Sequence, residues 1–236
     1  MKPWHWWRTV FFLIPAISLY TVVLGTISVL SALVDRSGNV GHRCAIAWSR
    51  LILWTTGVTV RVEGLERLDP ARSYVFAANH QSIYDIPIVF ASLPFQVRII
   101  AKESLGKIPF MGWHLLRTGH VLVDRSKPGA ATVRKMAKLV ADGHSLIVFP
   151  EGTRSTDGTV ARFKGGPFLI ALDAGLPIVP ISIAGSRHVM FRGEVTVHPG
   201  TVSLVVHDPV ETTGLGRNAA RDLSVAVHDT VASAAG

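Results

Sequence analysis

His80 and Asp85 stand five positions apart in the stretch AANHQSIYDIP, residues 77 to 87, directly after an apolar run. A neutral imidazole can take a proton near pH 7. It does so better when a carboxylate fixes its tautomer and balances the imidazolium that forms. The same pair could instead bind a metal, or Asp85 could simply cap a helix. A metal site needs further ligands, and His114, His120 and His144 form no compact ligand pair with His80 in sequence. A protein nucleophile is hard to find. Cys44 lies in an apolar segment, Ser82 is only two residues from His80, and no G-x-S-x-G turn occurs. The residues therefore point to a histidine that activates a substrate hydroxyl or a water directly.

A second cluster is VFPEGTRS, residues 148 to 155. An apolar strand runs into a turn carrying Glu151, Gly152, Thr153 and Arg154. Glycine lets backbone approach a ligand closely, Thr153 offers a hydroxyl, and the Arg154 guanidinium matches a phosphate. Glu151 would repel a phosphate, so it is expected to orient Arg154 or a substrate hydroxyl. The alternative is a surface turn with a Glu–Arg pair. No Walker pattern is present, so nucleotide hydrolysis has no support. LVDRSK (122 to 127) and RFKGG (162 to 166) add Arg125, Lys127, Arg162 and Lys164. Gathered together, these clusters would form a basic pocket beside one His/Asp pair, suited to a substrate bearing a phosphate and a hydroxyl.

The elements that must position them alternate. VTVRVEG (58 to 64), SYVFAAN (73 to 79), FQVRIIAK (95 to 102), GHVLVDR (119 to 125), HSLIVFPEG (144 to 152), LPIVPISIAG (176 to 185), EVTVHPG and TVSLVVHDP read as strands. IPIVFASL (86 to 93), residues 128 to 143, GPFLIALDAG (166 to 175) and a closing segment around Leu223, Val227 and Val231 read as helices. The fold class is α/β, a mostly parallel sheet flanked by helices, preceded by an N-terminal membrane-associated two-helix segment. In such sheets ligands bind at the carboxyl ends of strands, where Asn79-His80, Asp124-Arg125 and Glu151-Gly152 fall. The division expected is residues 1–57 for the helices and 58–236 for the catalytic domain.

Residues 9–34 carry no charge, long enough in helix to span a bilayer core. Trp4, Trp6 and Trp7 with Lys2 and Arg8 resemble an interfacial belt. The run exceeds a signal-peptide core and lacks a clear cleavage site. Residues 44–57 read as an amphipathic helix on or in the membrane, or packed on the domain that follows. Composition agrees. The 236 residues are 48% hydrophobic and only 17% charged, with net charge +8. Mean hydropathy is +0.36 and the isoelectric point is near 10.1. A basic, apolar chain seeks anionic lipids or phosphorylated substrates, and no basic tract suggests nucleic acid. With Cys44 alone, no intrachain disulfide can form.

NHQSIYD, GHVLVDR, FPEGTRS and IVPISI, in that order over roughly residues 58 to 190, resemble the four motifs of the glycerolipid acyltransferases, specifically the lysophosphatidate (1-acyl-glycerol-3-phosphate) acyltransferases. The resemblance implies transfer of a fatty acyl group from acyl-CoA or acyl carrier protein to the free hydroxyl of lysophosphatidate, giving phosphatidate. On that reading His80 and Asp85 are the catalytic pair, base and orienting group, with no acyl-enzyme. Arg125, Glu151, Gly152, Thr153 and Arg154 would hold the glycerol phosphate, and Pro180 would shape the acyl-side wall. The resemblance implies no metal and no cofactor beyond the thioester co-substrate. It places the catalytic domain at the cytoplasmic face of the inner (plasma) membrane. Acylation of another lyso-lipid is the neighbouring possibility. The residues by themselves also leave open a membrane lipid hydrolase and a non-catalytic lipid-binding protein.

Overall fold

The computed structural model describes residues 3–35, 37–123, 135–136, 138–139 and 142–235. Its centre is a 7-stranded sheet of β1 (Val58–Glu63), β2 (Val75–Ala78), β3 (Val97–Lys102), β4 (Val121–Val123), β5 (Ser145–Val148), β6 (Ile178–Ala184) and β7 (Gly200–Val206). The spatial order is β1-β7-β6-β2-β5-β3-β4. Every neighbouring pair is parallel except β6 and β7. The α/β expectation holds.

Both faces of the sheet are covered, so the central strands read as continuous apolar runs. Their side chains nonetheless divide by period 2. Phe76, Ile147, Val179, Ile181 and Ile183 enter one core with Ile52, Leu53, Ile88 and Val89. Val75, Ala77, Leu146, Val148 and Ile178 enter the other with Phe168, Ala171, Val227 and Val231. The first core is closed by α2 (Asn39–Thr56) and α3 (Asp85–Ser92). The second is closed by α5 (Gly166–Ala174) and α7 (Ala220–Ala234), numbering after α4 (Met111–Arg117) and α6 (Ser186–Val189).

The first helix, α1 (Trp4–Ser31), is long and apolar enough to cross a membrane, and only 11% of its 18-residue apolar window is buried. A core helix of that composition would be mostly covered. Residues Thr9–Leu13 are π-helical. The extra residue such a turn inserts re-aims the side chains that follow. Here Thr9 and Leu13 are almost fully buried, while Phe11, Phe12 and Leu19 stay exposed. The Thr9 hydroxyl accepts the Val197 N–H at 3.0 Å, and Arg8 donates to the Thr56 carbonyl at 2.6 Å. Further along, a β-carbon at Gly41 of α2 would lie 2.4 Å from Thr118 Cγ2, so only glycine admits this approach of α2 to the domain. The second helix starts at Asn39, five residues before the amphipathic stretch expected over 44–57.

One expected strand is not formed. EVTVHPG is not a strand, because residues 194–199 run as a loop. Val197 N–H is taken by Thr9, His198 N–H by the Val189 carbonyl, and Pro199 has none to give, so no ladder can form. Of the helix expected over 128–143, residues 128–134, 137, 140 and 141 lie outside the described residues. Helix α4 went unread because Pro109 and Gly112 interrupt its pattern. Pro180, unusual in a central strand, sits one residue before the β6–β7 ladder begins at Ile181, so its missing N–H breaks no antiparallel bond.

Candidate active site

β2 lies mid-sheet, and its register sets the site. Ala77 is level with Val148 of β5. Continuing that register, three residues on from Ala77 comes His80, and three on from Val148 comes Glu151. The NH of the first motif and the FPEG of the third therefore leave the same sheet edge side by side. The His80 backbone N–H donates to Glu151 Oε1 at 2.6 Å, and Ser155 N–H donates to the His80 carbonyl at 2.7 Å. On the other flank, Asn79 bridges to β6 in both directions. Its Nδ2 donates to the Ile183 carbonyl at 2.8 Å, and its Oδ1 accepts Ile183 N–H at 2.7 Å.

Within this frame His80 Nδ1 meets Asp85 Oδ2 at 2.7 Å. The same oxygen accepts the Gln81 and Ser82 backbone N–H groups at 2.8 and 2.9 Å. An oxygen already accepting two N–H groups is an acceptor for the third, so Nδ1 carries the proton and Nε2 is the lone-pair nitrogen. Nε2 has no partner among the described residues, and 10% of the His80 side chain is open. The Asp85 side chain is fully buried. Its position in the first turn of α3 also suits the helix dipole, so capping and histidine orientation are one arrangement. The Phe149 ring stacks on His80, centroids 4.3 Å apart and planes 26° apart, which holds the imidazole on its second face. Ser82 Oγ donates to the Met190 carbonyl at 2.9 Å, turned away from any role as nucleophile.

Glu151 is buried, and its second oxygen accepts Ala161 N–H at 2.9 Å. Burial holds its carboxyl above the ordinary value of 4.5, against the pull of its two backbone donors. Gly152 has φ +78°, and a β-carbon there would come within 2.7 Å of Lys164 Nζ, which places that ammonium beside the turn. Thr153 is exposed and Arg154 half-buried, with the Arg154 carbonyl accepting from Arg192 Nη1 at 2.6 Å. Pro180 is buried within β6, level with Ala77. Arg125 lies outside the described residues. The structure thus joins His80, Asp85 and Glu151 in one hydrogen-bonded knot, with residues 152 to 154 continuing from it. Among the described residues no three His, Cys, Asp or Glu side chains gather as metal ligands.

Sequence reasoning assigned no role to Asn79, Phe149 or Arg192, while Lys164, expected in the basic pocket, does lie beside the Gly152 turn. Asn79 and Phe149 stand inside the quoted motifs, which was the available signal. Sequence reasoning also missed an apolar cavity of about 180 Å3 between α1, α2 and the sheet. Leu24, Trp48, Ile83, Ile86, Phe90 and Met111 line it, and Ile83 and Ile86 flank Asp85 in sequence, so it reaches the histidine loop.

Residues 59–184 match the model of a family described as Acyltransferase. The chain belongs to the acyltransferase family. It is 38% identical over 165 residues to a 1-acyl-sn-glycerol-3-phosphate acyltransferase of Chlamydomonas reinhardtii, covering 66% of this chain and 49% of the relative. To a protein of the same name from Pseudomonas aeruginosa it is 31% identical over 186 residues, 75% of this chain and 70% of the relative. The chain spans about half the length of the algal and first plant relatives it matches. The crystal structure of the 1-acyl-sn-glycerophosphate (LPA) acyltransferase PlsC from Thermotoga maritima superposes with a TM-score of 0.76 at 29% identity, covering 92% of both chains.

Proposed function

We propose that this chain transfers a fatty acyl group from an acyl thioester, acyl-CoA or acyl carrier protein, to the free hydroxyl of lysophosphatidate, giving phosphatidate. The observation that carries the reading is His80 Nε2, reachable and without a hydrogen bond among the described residues, with Nδ1 held by a buried carboxylate and the nearby Ser82 hydroxyl turned to the Met190 carbonyl. His80 Nε2 takes the acceptor's hydroxyl proton as the oxygen attacks the thioester carbonyl carbon. Asp85 is the positioning residue that keeps Nδ1–H in place and balances the imidazolium. The tetrahedral adduct then collapses with cleavage of the carbon–sulfur bond. The imidazolium returns its proton to the leaving thiolate, so ester and thiol are formed and His80 ends neutral.

Arg154, with Arg125 and the Gly152–Thr153 turn, seats the glycerol phosphate. Glu151 acts through the backbone, holding the His80 loop against the neighbouring turn, and Pro180 stiffens the β6 wall. The apolar cavity beside Ile83 and Ile86 is suited to an acyl chain, since a pocket so lined offers methylenes a place out of water. The exposed apolar side chains of α1, with Trp7 and Trp54, lie against the membrane that supplies the acceptor. The domain faces the cytoplasm, where thioester donors are found.

The test is an acceptor panel with purified protein and both donor types, following phosphatidate by mass spectrometry. His80→Ala is expected to abolish transfer with the melting temperature nearly unchanged. Acyl release that is independent of acceptor, or wild-type turnover in His80→Ala, overturns the proposal.

A further inference from the structure

A cavity of about 500 Å3 opens away from the catalytic loop, between the α1–α2 turn and the entries to β4 and β5. Arg98 on β3 is level with Leu146, and Leu146 is level with Val75. His80 comes five residues after Val75, so Arg98 sits roughly 16 Å before it along the strand direction. The cavity therefore belongs to the other end of the sheet.

Arg98 is 2% exposed, and its Nε is buried with no partner. Its one hydrogen bond among the described residues runs from Nη1 to the Val97 carbonyl at 3.3 Å. The guanidinium is bracketed by glycines. A β-carbon at Gly38 would lie 3.2 Å from Nη2, and one at Gly119 3.8 Å from Nε. Burial lowers Arg98 to about 10, which leaves it a cation at neutral pH. Burial also pushes His120 and His144, which line the same cavity, below the ordinary imidazole value, so neither adds charge there at neutral pH. A buried guanidinium with no anion is costly, and proteins pair such groups.

The cavity's acids are already engaged. Asp142 is paired with Lys138 at 2.8 Å. Asp35 accepts Ser37 N–H at 3.0 Å and Val40 N–H at 2.6 Å, tying down the start of α2. That leaves Arg98 at the base and Arg117 and Lys135 at the exposed rim, all lining the cavity and none paired with a carboxylate among the described residues. Asp35 keeps its charge, since its donors are neutral groups, so four cations and two carboxylates among the described lining residues leave the space net positive by about two charges. That balance favours an anion, and a guanidinium fork matches phosphate oxygens. The volume far exceeds the roughly 30 Å3 share of one water, so the phosphate can carry a substituent.

We propose that this cavity is a second binding site, separate from the catalytic one, for a phosphate-class anion seated on Arg98 and closed by Arg117 and Lys135. Ser28 and Ser31, on the last turn of α1, also line it, so the phosphate could belong to a lipid headgroup or be free in solution.

The experiment measures binding to the full chain in an Arg154→Ala background, which weakens the proposed catalytic phosphate seat. One arm titrates inorganic phosphate against the protein in neutral detergent, by calorimetry and thermal melt. The other compares nanodiscs of phosphatidylcholine with nanodiscs containing phosphatidylglycerol. Saturable stabilisation by inorganic phosphate assigns a free phosphate, and stabilisation by phosphatidylglycerol alone assigns a headgroup. In either case Arg98→Met is expected to weaken binding at least about tenfold. Should that variant not fold, the double variant Arg117→Ala/Lys135→Ala, which alters exposed side chains only, is expected to do the same. Absence of stabilisation in both arms, or equal binding by the Arg154→Ala parent and the double variant made in it, overturns the proposal.

Discussion

Replacing Asp85 by asparagine isolates the charge that the proposed base needs. The oxygen at the Oδ2 position receives three donors, His80 Nδ1 at 2.7 Å and the Gln81 and Ser82 N–H groups. Alanine would orphan all three and confuse folding with catalysis. Asparagine keeps an oxygen there and puts its NH2 at the Oδ1 position, which has no partner. That unpaired buried amide costs about 1–3 kcal/mol of stability. The kinetic loss is larger. A carboxylate and an imidazolium with charge centres about 4 Å apart attract by about 4 kcal/mol at an effective dielectric of 20. Because the imidazolium exists only as the proton is taken, the loss falls on the transition state, a drop of about a thousandfold in kcat. The acceptor KM should barely move. The assay is steady-state phosphatidate formation well below the melting temperature, with the melt recorded beside it. A folded Asp85→Asn protein within about tenfold of wild type would refute the reasoning, since 1.4 kcal/mol is too little for a contact charge.

Glu151→Gln replaces one of two acceptor oxygens by a donor facing a backbone N–H, and should cost about 1–3 kcal/mol in thermal or urea melts. Its pH dependence has a definite sign. Above pH 4.5 and up to its raised folded value, the native state holds more protons on Glu151 than the unfolded chain. Wild-type stability therefore declines as pH rises through that window, and melts of Glu151→Gln across the same range should lose this component of the slope. Arg154→Ala removes a charge-assisted bond to phosphate worth about 1.5–3 kcal/mol, so kcat/KM for lysophosphatidate should fall about 10- to 100-fold. A monoacylglycerol acceptor, lacking phosphate, should be nearly unaffected in parallel assays. Phe11 and Leu19 are 66% and 60% exposed, so glutamate at both should leave the melt intact. Vesicle flotation should show membrane partitioning reduced at least about a hundredfold.

The sequence by itself determined the class of fold and the chemical cast. Apolar runs with period-2 and period-3.6 patterning required strands and helices in alternation, and a charge-free run of 26 residues required an apolar environment. His80 and Asp85 were legible as a pair because they are five residues apart on one turn, where local geometry suffices. Glu151 was legible as a residue but not in its role, since its partners are backbone groups of His80 and Ala161, and backbone donors leave no mark in residue types. That His80 lies beside Glu151, 71 positions away, follows from the parallel register of β2 and β5. Nothing in residue type or spacing sets Arg98 apart within the strand FQVRIIAK. Only packing made it a buried cation, by bringing Gly38 and Gly119 against it from distant parts of the chain. Local pattern selects elements because helix and strand periods are properties of neighbouring residues. Register and burial are settled by contacts between residues far apart in sequence, whose energies exist only once the chain has closed on itself.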